Sequence, residues 1–474
     1  MLRLALTFEL QTLTRSRAGL AALLAYLVIG ALALVLSDRH LDEWQQALQT
    51  GQEAQESSIS EALAFMESGE VGPSDRPWVN LSQPMWQDRY AGTRLARAPG
   101  PLAGVAAGSI DPAPVVFQIS RRADPLAVGG YRIENPELAA GAVDLVFVLT
   151  MLTPLLIGVL GLEIGGRERE DHIERLVVVH AGAARGWLLA RMLVVVALAS
   201  VAAGLLCLAA GLIGGASAAE LGVLIAFAVA YAVLWGGLLL AVNVSARSVR
   251  GAAFAFGALW TVLCVLLPTV AAEVGLGRVQ QDFALAETLE TRAQRYSVYE
   301  QELEDVLVDL YARHPELEQL PAAADEELAS QPARHAYDSF LANALAERHA
   351  ARQQQDQVAQ SIAESAAWLS PPIALTIALE RLAGAGPEAA SAYQAYLVEA
   401  VQARVWWVVK QAWSKEPLDQ AAFEELVASA PPPFRWQPTG LSGPSTQLAS
   451  WLLLAWLLAA AGLARNENRL RVRT

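Results

Sequence analysis

The stretch from Asp144 to Arg191 constrains this chain most, because two long apolar runs enclose a short charged segment there. The first run covers residues 145–164 and the second covers residues 187–212. About 20 apolar residues in a helix cross the ~30 Å hydrocarbon core of a bilayer, so each run is long enough to span a membrane. The charged segment between them must lie in water, because the bilayer core strongly disfavours charged side chains.

Composition and hydropathy together predict an all-α polytopic membrane protein with large water-exposed regions. The 474 residues are 54% hydrophobic and 17% charged, and the mean hydropathy is +0.33. Such a chain is too apolar for an ordinary soluble protein and too polar to lie wholly in lipid. A third apolar run, residues 18–36, lies nearest the start of the sequence. It is followed by Ser-Asp-Arg-His and by no small-residue cleavage site, which favours a retained span over a signal peptide.

The predicted fold is six transmembrane helices with a mainly helical extracytoplasmic domain built from two insertions. The predicted order is an amphipathic elbow helix at 1–17, span one at 18–37, the first extracytoplasmic insertion at 38–140, span two at 141–165, a cytoplasmic hairpin at 166–186, span three at 187–214, span four at 221–243, span five at 251–272, the second extracytoplasmic insertion at 273–446, span six at 447–464 and a cytoplasmic tail at 465–474.

The two insertions are expected to pack together into one helix-rich domain. In the first insertion, residues 41–66 read as an exposed helix and residues 114–119 as a strand. In the second insertion, the predicted helices cover 281–313, 333–369 and 388–415, with a break at Pro371-Pro372. We expect packing around Trp406, Trp407 and Trp413 to stabilise this domain, because the sequence offers it no disulfide.

Arginine placement predicts the orientation of the spans. Four arginine clusters fall in segments that six spans place on one side, and the positive-inside rule makes that side cytoplasmic. Residues 38–140 carry 14 acidic and 8 basic side chains, and residues 273–446 carry 25 and 12, so both insertions are acidic. We therefore expect a bacterial cytoplasmic (inner) membrane protein with both termini cytoplasmic. The clusters are Arg3, Arg15 and Arg17; Arg167, Arg169, Arg175, Arg185 and Arg191; Arg247 and Arg250; and Arg465, Arg469, Arg471 and Arg473.

Motif searches favour a subunit that is not itself an enzyme. A Walker-type nucleotide site needs a lysine after glycine, and neither Lys410 nor Lys415 follows one. The zinc-protease pattern His-Glu-x-x-His and the nucleophile pattern Gly-x-Ser-x-Gly are both missing from the sequence. The two cysteines, Cys207 and Cys264, lie in apolar runs, where a thiol behaves as a small hydrophobe. We expect no catalytic residues, no cofactor and no bound metal.

Two groups of charged residues are candidate functional positions. Asp144 precedes span two, where it is expected either to cap the helix or to make a polar contact with the outer domain or a partner subunit. The charges of the hairpin either keep the loop in water and set the topology, or make charge-assisted contacts with a partner protein. The run Glu168-Arg169-Glu170-Asp171 motivates the second interpretation, and charge reversal at Glu168 and Glu170 is the test it suggests.

Several segments together carry a resemblance to a known family. They are residues 135–148, from Asn135 to Val148; Leu152-Thr153-Pro154-Leu155-Leu156; Glu168-Arg169-Glu170; Ala98-Pro99-Gly100-Pro101-Leu102-Ala103; and Leu369-Ser370-Pro371-Pro372-Ile373-Ala374-Leu375. With six spans and insertions after spans one and five, the chain resembles the membrane subunits of ABC-2 type ATP-binding-cassette exporters, in the branch with two large extracytoplasmic insertions. The family usually continues its Glu-Arg-Glu with a Gly-Thr-Leu-like turn, whereas Asp171-His172-Ile173 follows here.

The resemblance implies a permease subunit that couples ATP hydrolysis by a separate ATPase subunit to substrate export. The expected partners are that ATPase, a second copy of the chain or a related permease, the lipid bilayer, and in one version an extracytoplasmic protein; no nucleic acid is expected. Two alternatives remain open: a mechanotransmitting permease that drives an outer partner without moving a solute, and a membrane-anchored scaffold or sensor without an ATPase. The implied ATPase-coupling residues are Glu163, Arg167, Glu168, Arg169, Glu170, Asp171, Glu174 and Arg175.

Overall fold

Six helices in the described part of the chain are long and apolar enough to cross a membrane. The computed structural model describes residues 2–109, 115–121, 123, 143–171, 184–278, 292–294, 296–325 and 328–472. The predicted multi-pass, helical character is therefore confirmed. The six candidate spans are Arg17–Glu67, Leu145–Glu170, Arg185–Gly214, Ala218–Ser245, Val249–Val274 and Ser442–Asn466.

Helices make up most of the described chain, and a small sheet accompanies them. The strands are β1 (Arg94–Ala98), β2 (Val116–Gln118) and β3 (Phe434–Arg435). The helices are α1 (Leu2–Arg15), α2 (Arg17–Glu67), α3 (Pro84–Ala91), α4 (Leu145–Phe147, Val148–Leu152 and Thr153–Gly161), α5 (Gly166–Glu170), α6 (Ala184–Gly214), α7 (Ala218–Ser245), α8 (Val249–Trp260, Thr261–Leu266 and Leu267–Arg278), α9 (Leu303–Arg313), α10 (Ser330–Ala367), α11 (Pro371–Ala383), α12 (Gly386–Ser414), α13 (Gln420–Ala428) and α14 (Ser442–Val472).

The first span does not end where its apolar run ends. Helix α2 begins at a Ser16 cap, whose side chain accepts a hydrogen bond from the Gly19 amide, and continues for 51 residues to Glu67. Residues 38–67 are polar but rich in Ala, Gln and Glu, which are strong helix formers, and they contain no proline. Hydropathy marks the end of the membrane-spanning part, whereas backbone propensity lets the same helix extend into the first insertion.

Proline shapes spans two and five, and side chains from other segments bind the carbonyls that it leaves unpaired. Pro154 and Pro268 have no N–H, and a π-helical turn precedes each of them, at Val148–Leu152 and Thr261–Leu266. The Tyr231 hydroxyl donates to the Thr150 carbonyl at 2.8 Å. The Ser370 hydroxyl donates to the Leu263 carbonyl at 2.8 Å. Neighbouring elements thereby satisfy backbone groups that would otherwise be stranded in an apolar bundle.

Helix α7 lies at the centre of the bundle. Its side chains Tyr231, Trp235 and Leu239 are fully buried, and the helix packs against α6 and α14. Helix α8, by contrast, exposes most of its apolar side chains, including Phe254 at 81%. Exposed apolar residues of this kind are expected on a surface that faces lipid or another membrane subunit.

The two insertions pack together into one unit, which we call the insertion domain. Strand β1 pairs antiparallel with β2 and parallel with β3, so the sheet order is β2-β1-β3 and joins the two insertions. A shared apolar core includes Leu95 and Phe117 from the first insertion and Tyr393, Leu397 and Trp413 from the second. This shared core and the parallel β1–β3 pair make the two insertions one structural unit.

Most sequence-based boundaries in the insertions lie close to the observed ones. The strand predicted at 114–119 is observed at Val116–Gln118. The helices predicted at 333–369 and 388–415 are observed at Ser330–Ala367 and Gly386–Ser414. Pro371-Pro372 begins helix α11, since proline fits the first helical turn. The single helix predicted at 281–313 was wrong in its continuity: residues 292–294 and 296–298 are helical, residues 299–302 are not, and a separate helix covers Leu303–Arg313. Residues 279–291 lie outside the described residues.

Candidate coupling site

The charged hairpin begins with a sharp turn after span two. Gly165 has φ +81°, a left-handed conformation that side chains disfavour, and its amide donates to the Glu168 carboxylate at 2.8 Å. A Cβ atom at Gly166 would lie 2.9 Å from a Val249 methyl group, so the short helix α5 also needs a glycine at its start. The two glycines place α5 directly against the segment that joins spans four and five.

Two hairpin charges bind the ends of spans four and five. The Arg169 guanidinium donates to the carbonyls of Asn243 and Val244, near the carboxyl end of α7. The Glu170 carboxylate accepts from the Val249 amide at 2.9 Å, at the amino end of α8. Each charge is opposite in sign to the partial charge of the helix end it meets, which is the stabilising arrangement. These contacts hold α5 to both spans.

A buried ion-pair triad connects the hairpin to the N-terminal helix. Arg191, on α6, is 5% exposed and bonds to both the Glu168 and Glu9 carboxylates. Glu9 lies on α1 and is 2% exposed, and the Arg191 guanidinium also lies 5.2 Å from the centre of the Phe8 ring. Buried charges are tolerated when they are paired and hydrogen-bonded, as here. Because Arg191 is shared, α1, α5 and α6 are held together at one point.

A second set of hairpin charges remains on the surface. The Arg167 guanidinium lies 2.7 Å from Glu163 and 3.9 Å from Asp171, and the three side chains are 64%, 57% and 54% exposed, respectively. They border a cavity of about 560 Å³ that α1 also lines. Exposed ion pairs add little to stability, so these side chains can exchange partners at low cost. Glu174 and Arg175, which belong to the predicted coupling set, lie outside the described residues.

Asp144 makes two contacts within the chain: it caps span two, and it also bonds to the first insertion. Its carboxylate accepts from the Phe147 amide at 2.9 Å, which caps span two. It also accepts from the Gly108 amide at 3.2 Å, in the first insertion. Asp144 is 5% exposed and therefore fixes the start of span two to the insertion domain.

The structure brings together some predicted residues and adds others that the sequence analysis missed. Glu168 and Arg169 are partly buried and point to other helices, whereas Glu170 is exposed but still bonds to the start of α8. Glu163, Arg167 and Asp171 are exposed and pair at the surface. The partners Glu9 and Arg191 were not predicted as site residues. A signal was available, because Arg191 and Glu9 are charged residues next to apolar segments. Within the described chain, no group of three His, Cys, Asp or Glu side chains is arranged to hold a metal ion.

Comparisons with known proteins give one family match. A family model described as a domain of unknown function (DUF3526) matches residues 286–437, within the second insertion. No curated protein matches the chain. No solved structure matches it either.

Proposed function

We propose that this chain is the membrane-spanning permease subunit of an ABC-2 type exporter. It couples ATP hydrolysis by a separate ATPase subunit to substrate export across the bacterial cytoplasmic membrane, and it works with a second copy of itself or a related permease. Both termini and the α5 hairpin are cytoplasmic, and the insertion domain is extracytoplasmic. The chain contributes no catalytic residue and binds no cofactor.

The observation that carries this proposal is the anchoring of α5. This five-residue helix follows span two directly and bonds to the ends of spans four and five through Arg169 and Glu170. Through Glu168 and Arg191 it is also joined to α1 and span three. A partner that displaces α5 therefore acts on four membrane helices and on α1 at once. This is the connectivity that a rigid-body switch driven from one end requires.

The division of the hairpin charges refines the proposed interface. Glu168, Arg169 and Glu170 hold α5 in place, so charge reversal there would disturb the permease itself as well as a bound partner. Glu163, Arg167 and Asp171 are exposed and lie outside the contacts that anchor α5, so we assign them to the ATPase interface, with Glu174 and Arg175 as further predicted members. Charge-assisted contacts to an ATPase surface would give this interface its specificity.

A continuous helix supports the mechanotransmitting alternative. Helix α2 runs unbroken from Arg17 into the insertion domain, a length of roughly 77 Å at about 1.5 Å per residue. The Ser370 hydroxyl also joins the second insertion directly to the π-helical turn of span five. Movements of the spans would therefore reach the insertion domain through covalent and hydrogen-bonded connections, which suits a subunit that works on an extracytoplasmic protein.

Charge exchange at the exposed pair tests the ATPase interface. In the variant Arg167→Asp/Asp171→Arg the two side chains can still pair, but the pattern that a partner meets is reversed. Purification of the full chain with its ATPase, identified by mass spectrometry and by ATP hydrolysis, should show at least tenfold lower recovery for this variant. The matched control is Asp75→Arg/Arg76→Asp, an exposed pair of the insertion domain whose side chains lie 3.5 Å apart.

Two outcomes would contradict the proposal. Equal ATPase recovery by the variant and the parent would remove the exposed charges from the interface. Purification of the parent with no ATPase would favour a scaffold.

Solute accumulation in inside-out vesicles supports export. ATP-dependent distance changes between spin labels in the insertion domain, without accumulation, support mechanotransmission.

A further inference from the structure

The insertion domain contains a cavity of about 610 Å³ between α3 and the edge of the sheet. Its walls include Met85, Trp86 and Arg89 from α3 and residues 116–121 from β2 and the turn after it. The volume falls within the ~300–1,000 Å³ of typical ligand sites. The lining combines apolar side chains with a strand edge, so the cavity offers both contact area and hydrogen bonds.

Strand β2 presents an unpaired backbone edge to this cavity. The sheet order β2-β1-β3 leaves β2 on the outside. The Ile119 amide donates to Thr93 and the Arg97 amide donates to Val115, so the odd-numbered residues of this segment bond to β1. In an antiparallel ladder the residues between them point their N–H and C=O groups the other way. Those of Val116 and Gln118 find no hydrogen-bond partner anywhere in the described chain, and Gln118 is exposed.

Asp88 provides a buried acceptor at the floor of the cavity. It is 4% exposed, and its Oδ1 atom accepts no hydrogen bond from any described residue, although the Arg404 Nε atom lies 3.5 Å away. A buried acceptor without a donor costs free energy that an incoming donor would recover.

The charges around Asp88 decide which kind of donor fits. Asp88 lies beside Arg404, and Arg121 bonds to Asp338, so these two acids and two bases cancel. A charged ligand group at the floor would therefore be uncompensated in a poorly solvated place. An uncharged hydroxyl or amide donor meets the need of Asp88 without adding a charge.

We propose that the edge of β2 binds an extended peptide segment of a partner protein as an added strand, with one uncharged hydrogen-bonding side chain directed to Asp88. The peptide backbone pairs with the outward N–H and C=O groups of Val116 and Gln118. Alternate apolar side chains of the peptide lie against Trp86 and Met85. Main-chain pairing supplies affinity in this mode of recognition, and the side-chain pockets supply specificity. This surface is independent of ATPase docking at α5.

The test uses the full-length protein in lipid nanodiscs at pH 7. The probe is a library of capped heptapeptides that alternate Val or Ile with Ser, Thr, Asn or Gln, and binding is measured by fluorescence anisotropy. The tightest members should bind saturably. Gln118→Pro removes the outward N–H without touching the ladder to β1, so it should weaken binding at least tenfold. Gln118→Thr keeps that N–H and should bind as the parent does. N-methylation of alternate peptide nitrogens should also cost at least tenfold.

A second variant tests the floor of the cavity. Asp88→Asn preserves the shape of the side chain but changes its hydrogen-bonding capacity, so the preference for a hydroxyl or amide at one peptide position should change at least fivefold. Tryptophan fluorescence and circular dichroism report whether the variant folds. If Asp88→Asn does not fold, the Gln118→Pro and Gln118→Thr pair still decides the outcome.

Three results would overturn the proposal. They are the lack of saturable binding by any library member, equal binding by Gln118→Pro and the parent, and spontaneous disulfide-linked dimers of Gln118→Cys, which would make a second copy the occupant of the edge. ATPase recovery is measured on the same variants and should not change. The failure of this proposal and the failure of the ATPase interface can therefore be told apart.

Discussion

The membrane-spanning bundle and the insertion domain bury different kinds of polar groups. Away from its two ends, the described bundle buries neutral polar groups: the Asn243 amide donates to the Gly161 carbonyl at 2.9 Å, and the Tyr26 and Thr153 hydroxyls lie 3.0 Å apart. The insertion domain instead buries formal charges between its two segments, among them Asp88 and Arg404. In the bundle, the buried triad of ions around Arg191 lies at the end that carries the hairpin.

The difference follows from the environment in which each region folds, which is hydrocarbon for the bundle and water for the insertion domain. A charge in the hydrocarbon core is expensive even when it is paired, so neutral side chains serve the backbone there. The segments of the insertion domain come together in water, which hydrates their unpaired charges before the segments pack. Paired burial of Asp88, Asp338, Arg121 and Arg404 then penalises every arrangement of the two insertions that leaves one of them alone.

The largest expected effect comes from removing one charge of this network. Arg404→Met removes the cation that interacts most strongly with Asp88 and leaves it with Arg121, which already pairs with Asp338, so the variant should destabilise the insertion domain by about 3–5 kcal/mol. Hydrogen exchange of β1 and α12 in nanodiscs measures the loss, together with thermal unfolding followed by tryptophan fluorescence. The Arg404 side chain also donates to Thr93, so the first insertion should lose protection as well.

Two further variants make the Arg404 result specific. Lys410→Met lies on the same helix but is exposed, and it should change stability by less than about 0.5 kcal/mol. Arg404→Met/Asp88→Leu removes both charges and should recover part of the loss. Equal stability of Arg404→Met and Lys410→Met would show that the buried charges do not hold the insertions together.

The second prediction concerns pH. Burial raises the pKa of Asp88 to about 6 against the opposing effect of Arg404, from an ordinary value of 3.8. Between these values the unfolded chain loses its proton before the folded chain does, so stability should fall as pH rises from about 4 to 6. The change is about 3 kcal/mol, since one pKa unit corresponds to about 1.4 kcal/mol.

Unfolding of the insertion domain at a series of pH values measures this slope. The side chain of Asp88→Asn cannot ionise, so this variant should lose the fall in stability between pH 4 and 6 that Asp88 causes. Asp75→Asn, at an exposed site, should keep that fall. A slope that survives in Asp88→Asn would have to come from other groups.

The third prediction moves to the bundle, where close packing replaces charge pairing. A Cβ atom at Gly236 on α7 would lie 2.2 Å from a methyl group of Val196 on α6. Valine is stiff about χ1, so Gly236→Ala should cost about 1–3 kcal/mol through overpacking. Gly204→Ala is the control, because nothing lies within 4 Å of its Cβ position. Thermal unfolding in detergent, followed by size-exclusion chromatography, compares them; equal stability would refute tight contact between these helices.

The smallest effect is expected from a neutral hydrogen bond in the bundle. Asn243→Leu removes the bond to the Gly161 carbonyl and should cost about 0.6 kcal/mol, since such bonds in membrane proteins average near that value. Ser245→Ala, at an exposed hydroxyl on the same helix, should be neutral. The same detergent unfolding assay applies. A loss for Asn243→Leu as large as that for Arg404→Met would contradict the comparison between the two regions.

Local patterns predicted the spans and most insertion helices, but they predicted little of the contact geometry. The apolar runs and the proline breaks are visible in windows of about 20 residues. Helix α2 shows the limit, because the change from apolar to polar residues near Asp38 marks a change of solvent and not of backbone conformation. Strands β1 and β3 carry five and two residues, and such short strands depend on a partner far away in the chain.

The candidate site divides in the same way. The hairpin was recognisable because its charges interrupt two apolar runs, and Asp144 was recognisable as a helix cap. The sequence does not distinguish inward charges such as Glu168 from outward ones such as Asp171, because a five-residue helix has no reliable periodicity. Their roles depend on where Asn243, Val249 and Arg191 come to lie.

By itself the sequence determined that the chain has six apolar helices long enough to span a membrane. Hydropathy is a local property, and a window of about 20 residues is enough to recognise such a helix. Only the tertiary structure decided which charges meet. Glu9 and Arg191 are 182 positions apart in the chain, and Thr93 and Arg404 are 311 apart. Long-range pairs of this kind depend on how packed helices orient their faces, and a buried charge needs its partner at one particular place.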